Sequence, residues 1–196
     1  MAFGIPTCEE EFLDAKESTI GRDFVIGQNS HQYDVQFLSY LRKIEPKFIK
    51  LKVKTVHKLT LEDFGKLFQD SSNKVVILFT HWKDNTVEFF DGMTPLDEII
   101  KVIPNNFDGI VDLCVCHPEN LAIKIRNHLP PTSLVRYTEA ENTPYKWLYF
   151  YWAVFTILDE SDLDESDDSG SGDSGCSYLE ALEKAVEAFA KRIMYE

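Results

Sequence analysis

Val75-Val76-Ile77-Leu78-Phe79-Thr80-His81 and Ile110-Val111-Asp112-Leu113-Cys114-Val115-Cys116 are the two stretches that decide the fold. Each is a nearly continuous apolar run, rich in Val and Ile and bounded by turn-forming residues. A strand covered on both faces reads this way, because neither side of its pleat meets water. The runs predict two central strands of a parallel sheet. Each run also ends on a reactive side chain, His81 in the first and Cys116 in the second. In open α/β sheets the working groups sit just beyond the carboxyl ends of the strands. An imidazole beside a thiol at that edge can take the thiol proton, or pair with the thiolate and lower its pKa. The two positions are 35 residues apart. That leaves room for a hairpin, a helix and a return strand, so the pair would meet in space rather than in sequence.

Strand and helix alternate outward from these runs. Asp23 to Gly27 reads as a strand and His31 to Ile44 as a helix, with Tyr33, Phe37, Leu38, Leu41 and Ile44 on one stripe. Lys47 to Leu59 alternates apolar residues with lysines, which predicts a strand with one wet face. Thr60-Leu61-Glu62-Asp63 opens a helix with a capping-box pattern. Thr86 to Phe90 is a short strand that turns at Asp91-Gly92, and Thr94-Pro95 reads as the cap and first residue of another helix. Pro118 to His128 is a helix closed by Pro130-Pro131, and Ser133 to Tyr137 is a strand. Two helices finish the chain, Pro144 to Leu158 and Ser177 to Ile193. The expected class is α/β, with a mainly parallel sheet and helices on both faces.

The 196 residues suit one domain with a substantial core, and 44% hydrophobic content is that of a globular chain. Residues 1–20 read as a polar N-terminal segment with a short amphipathic patch and 21–196 as the domain. No apolar stretch approaches the roughly 20 residues of a membrane span, and no basic, then apolar, leader opens the chain. A membrane partner is therefore not expected. A net charge of −13 argues against nucleic-acid binding, which needs a basic surface. Residues 159–175 (DESDLDESDDSGSGDSG) hold eight acidic residues and no basic one. Such a segment has nothing to bury and reads as an acidic mobile loop between the last two helices. It fails the spacing of a calcium loop. Four scattered cysteines without a leader point to reduced thiols and a cytoplasmic location. Cys114-Val115-Cys116 lacks the spacing of a zinc pair, and no strand is followed by a Gly-rich phosphate loop. Neither a metal nor a cofactor is expected.

The order of these elements resembles the CHAT family of caspase-like, clan CD cysteine peptidases, over roughly residues 22–193. The residues that carry the resemblance are Thr80-His81 at a strand end, the hairpin Thr86 to Gly92, the helix opening Thr94 to Ile99, the strand end Leu113-Cys114-Val115-Cys116, and the late helix Tyr178 to Ala185. The resemblance implies a caspase-like three-layer sandwich and a cysteine endopeptidase. His81 and Cys116 would be its dyad, and a protein its substrate or regulatory partner. Trp82 stands where the family has Gly after the His, and His117-Pro118 replaces small or polar residues after the Cys. These departures point to the alternative, a non-catalytic caspase-like module for protein–protein interaction.

Each residue also has a plainer reading. His81 could be a hydrogen-bonded strand-end histidine, and Cys116 a small buried hydrophobe, as most free cysteines are. Cys114 lies two residues deeper on the same strand face and is the better core residue; with the register slipped, it becomes the nucleophile instead. His31, His57 and His128 read as surface histidines. Trp147 to Trp152 reads as a helix packed on the sheet, or as a partner surface.

Overall fold

A computed structural model describes residues 1–6, 31–83, 85–115, 117–137, 144–161 and 177–195. The elements in chain order are β1 (Ala2–Gly4), α1 (His31–Lys50), β2 (Lys54–Val56), α2 (Leu61–Gln69), β3 (Val75–Phe79), β4 (Trp82–Lys83), β5 (Thr86–Phe89), β6 (Gly92–Pro95), α3 (Leu96–Val102), β7 (Ile110–Cys114), α4 (Glu119–His128), β8 (Leu134–Tyr137), α5 (Pro144–Ser161) and α6 (Tyr178–Tyr195). They fall into two compact units. One is Met1–Asp34 with Val53–Asn142, the other Val35–Lys52 with Thr143–Glu196. The expected strand at Asp23 to Gly27 lies outside the described residues. So does most of the acidic segment 159–175.

The first unit is built on a five-stranded sheet of order β2-β1-β3-β7-β8, parallel at every pairing. The class is α/β, as the two apolar runs require. Those runs are neighbours: Val75 to Phe79 pair in register with Ile110 to Cys114. Ala2–Gly4, inside the segment read as preceding the domain, is a central strand paired to both β2 and β3. Three residues between Met1 and Ile5-Pro6, ahead of a polar stretch, carry too little pattern to announce a strand.

One face of the sheet presents Ala2, Val76, Leu78, Val111 and Leu113. Against them pack Phe64, Leu67 and Phe68 of α2, Leu96 and Ile99 of α3, and Leu121, Ala122 and Ile125 of α4. Phe64 sets its ring edge-on to Phe68 at 5.0 Å and meets Phe89 at 5.6 Å. Each such fully buried side chain stabilises the fold by about 1.5–3 kcal/mol relative to exposure. The entry to β7 depends on Gly109, where a β-carbon would sit 2.5 Å from the Lys74 carbonyl oxygen. Close approach there lets the Ile110 amide donate to that carbonyl at 2.8 Å. This contact starts β7 level with β3.

Thr60 caps α2. Its Oγ1 accepts from the Asp63 amide at 3.1 Å and donates to the Asp63 carboxylate at 2.9 Å. Thr60→Ala should cost about 1 kcal/mol in urea denaturation, the usual value of a lost N-cap. Lys66 first, and then Thr60, hold the Asp63 carboxyl below its ordinary range. Its folded pKa is depressed, so this contribution is present above the unfolded carboxylate pKa. It is lost as the pH falls through the folded value. Amide exchange in the first turn of α2 should accelerate over that acid window, and less so in Thr60→Ala.

β4, β5 and β6 form a separate antiparallel sheet. Thr94 and Pro95 belong to β6, and α3 starts only at Leu96, without a side-chain cap. The expected helix start was therefore one residue early. Thr94 pairs with Val87 and Pro95 with Thr86, so the hairpin ladder takes the residues that would have begun a helix.

In the second unit, α1 runs on through Pro46 to Lys50, where a strand was expected from Lys47. Leu41, Ile44 and Phe48 are buried at helical spacing, while Ile49 is 79% exposed. That stripe outweighs the apparent alternation, which survives only as β2. Phe48 meets Phe155 of α5 edge-on at 4.7 Å. Lys47 and Lys50 pair with Asp159. The acidic run thus begins inside α5, with Asp159 held by two lysines rather than loose. α5 and α6 pack on one another. Among the described residues, no helix is long and apolar enough to cross a membrane.

Candidate functional site at the carboxyl edge of β3 and β7

The site starts where β3 runs out. The Thr80 amide donates to the Cys114 carbonyl at 3.1 Å, which carries the β3–β7 ladder one residue past Phe79. The Thr80 hydroxyl donates to the Glu88 carbonyl. The Glu88 amide donates to the His81 carbonyl at 3.0 Å. Residues 80–81 are thus tied to β7 on one side and to β5 on the other. His81 sits half-buried on a fixed backbone, at the corner where the parallel sheet passes into the hairpin sheet.

β7 reaches the same edge one strand away. Cys114 is buried and is the register partner of Phe79. Val115 is buried in the apolar cluster. Cys116 lies outside the described residues. Beyond it, His117 is exposed and has φ +49°, and Pro118 caps α4. The Pro118 carbonyl accepts from the Ala122 amide at 2.7 Å. A left-handed non-glycine residue costs about 1–2 kcal/mol, and proline restricts the residue before it as well. Strain of this kind collects at functional turns. It is next to the cysteine that the sequence singles out.

Of the other histidines, His128 is not a simple surface residue. Its Nε2 lies 2.7 Å from the Ile103 carbonyl and ties the end of α4 to the end of α3. His57 is half-buried. Among the described residues no group of three His, Cys, Asp or Glu side chains could hold a metal ion.

Two charged residues inside apolar runs were not legible as features. Asp112, within the β7 run, is fully buried and accepts from Arg136 Nη1 of the next strand at 2.8 Å. Glu88, between Val87 and Phe89, is 1% exposed and pairs by backbone with His81. The available signal was an acid in the middle of a β-branched and aromatic run, which a strand tolerates only with a reason.

Away from this edge, Ala122, Ile123 and Arg126 of α4 line a groove of about 290 Å³ with Leu134, Val135 and Tyr137 of β8. β8 ends the sheet order, and Ile123, Leu134 and Tyr137 are exposed. Scans of the sequence against protein-family models and against curated proteins return no match to this chain.

Proposed function

We propose that the chain is a caspase-like cysteine endopeptidase of CHAT type, working at the carboxyl edge of β3 and β7. In this reading Cys116 Sγ, as thiolate, attacks the scissile carbonyl carbon. Backbone N–H groups near the strand ends hold the oxyanion. His81 gives its proton to the leaving amine, and the C–N bond breaks. Water, with His81 as base, then hydrolyses the thioester and restores the thiol. The observation that carries the reading is the pairing of β3 with β7: the histidine-bearing and cysteine-bearing runs are adjacent, parallel and in register. The open parallel sheet is compatible with it. Counting the five parallel strands in chain order gives 2-1-3-4-5, and sheets of this order work outside their carboxyl ends. The proposal includes a three-layer sandwich with helices on the second face, a cytoplasmic setting that keeps thiols reduced, and a protein as substrate or regulator.

The test is covalent. An acyloxymethyl ketone bearing a short peptide should modify Cys116 alone near neutral pH, read by peptide mass mapping. Equal labelling of Cys116, Cys8 and Cys176 rejects an activated thiolate.

A second reading is a non-catalytic interaction module of the same fold. The apolar α4–β8 groove beside an edge strand favours it, as does Trp82 directly after His81. Under this reading the peptide probe leaves Cys116 untouched, while substitution of Ile123 or Tyr137 by Glu disrupts partner binding.

A further inference from the structure

β5 brings to His81 a carboxylate that the dyad itself does not use. The antiparallel ladder pairs Trp82 with Val87 and Lys83 with Thr86. The bond from the Glu88 amide to the His81 carbonyl carries that ladder one rung further. Residues directly opposite on antiparallel strands turn their side chains to one face, with β-carbons about 4.5–5.5 Å apart. Val87 and Phe89, which flank Glu88, lie in the apolar cluster, and Trp82, which follows His81, packs against it. Alternation therefore turns Glu88 and His81 together to the other face. Met93 is the next residue in the row, opposite Glu88 on β6. Its thioether offers no charge.

Glu88 is 1% exposed, against a half-buried His81. A carboxylate at that depth favours positive charge that develops beside it. The position directly opposite holds a ring that becomes a cation when it takes a proton. Resting on the thiol-hydrolase reading above, we propose that Glu88 is the positioning residue for His81. Its carboxylate fixes the ring's orientation and favours the imidazolium formed when Cys116 gives up its proton. The proton passes from Sγ to the imidazole. Glu88 stays ionised throughout, and no bond to it forms or breaks.

The experiment uses the full chain with ¹⁵N-labelled histidine. His81 imidazole nitrogen shifts and the rate of Cys116 alkylation by iodoacetamide are compared at one fixed, near-neutral pH. In Glu88→Gln the His81 nitrogens should move toward the neutral-ring pattern, and alkylation should slow about tenfold, as for loss of one charge partner. Glu88→Asp should restore both in part. Should Glu88→Gln not fold, Glu88→Asp alone must still displace the His81 signals. A folded variant whose His81 signals overlay those of the parent overturns the proposal. The two readings fail separately. Alkylation unaffected by His81→Ala removes the dyad, while the nitrogen shifts, recorded also with Glu88→Gln in a Cys116→Ala background, report on Glu88 and His81 without the thiol.

Discussion

Cys116→Ala should abolish thiol-dependent peptide cleavage, with a fall in kcat/KM on the order of 10⁴-fold or more. A nucleophile has no substitute in a two-step acyl transfer, and removing it leaves only the binding and oxyanion contributions. His81→Ala should fall by a comparable factor, because thiolate and base act as a unit. The double variant should be no worse than either single one. Cys114→Ala is the control. Cys114 is buried beside Phe79 in the sheet, so its loss removes a small core group at about 1 kcal/mol and should leave cleavage unchanged within a few-fold. The measurement is kcat/KM on a peptide library. Parent-level cleavage by Cys116→Ala rejects the dyad, and a loss in Cys114→Ala equal to that in Cys116→Ala reassigns the nucleophile.

Arg136→Met should destabilise the protein by about 3 kcal/mol, the usual penalty for stranding one partner of a buried ion pair. Asp112 is fully buried and the Arg136 side chain is 18% exposed, with 2.8 Å between the charged atoms. Removing the guanidinium leaves a carboxylate inside the sheet without this counter-charge. Replacing both, as Asp112→Leu with Arg136→Met, should recover most of the loss, because an apolar pair of similar volume avoids desolvating two ions. The check is a double-mutant cycle in urea. A double variant less stable than Arg136→Met would mean that Asp112 holds more of the fold than this one pair.

The parallel sheet was legible because burial on both faces writes itself as an unbroken apolar run, and β3 and β7 have such runs. β1, β4 and β6 were not legible. They are two to four residues long, and a pattern of period two needs more positions to declare itself. The end of α1 was misjudged because lysines between apolar residues look like a wet-faced strand, while the burial of Leu41, Ile44 and Phe48 decides for a helix. His81 and Cys116 stood out as reactive side chains at strand ends. Glu88 did not, since its meaning lies in a cross-strand pairing that no local pattern encodes. Asp112 was read as part of a hydrophobic run for the same reason: its partner Arg136 lies on the next strand, 24 residues on.

β1 sits between β2 and β3, about 50 and about 70 residues along the chain from its two partners. No local turn can deliver it. The conformational entropy of closing two long loops is spent before its backbone bonds form, and three residues return little for that search. The sheet should therefore assemble from β3 and β7 outward, with β1, and β2 beyond it, entering last on this side. Until it does, the edge of β3 is an open ladder of amides and carbonyls beside a bare apolar face. The protein's exposure to aggregation is then a property of time rather than of the native surface, greatest in the interval before that short strand docks.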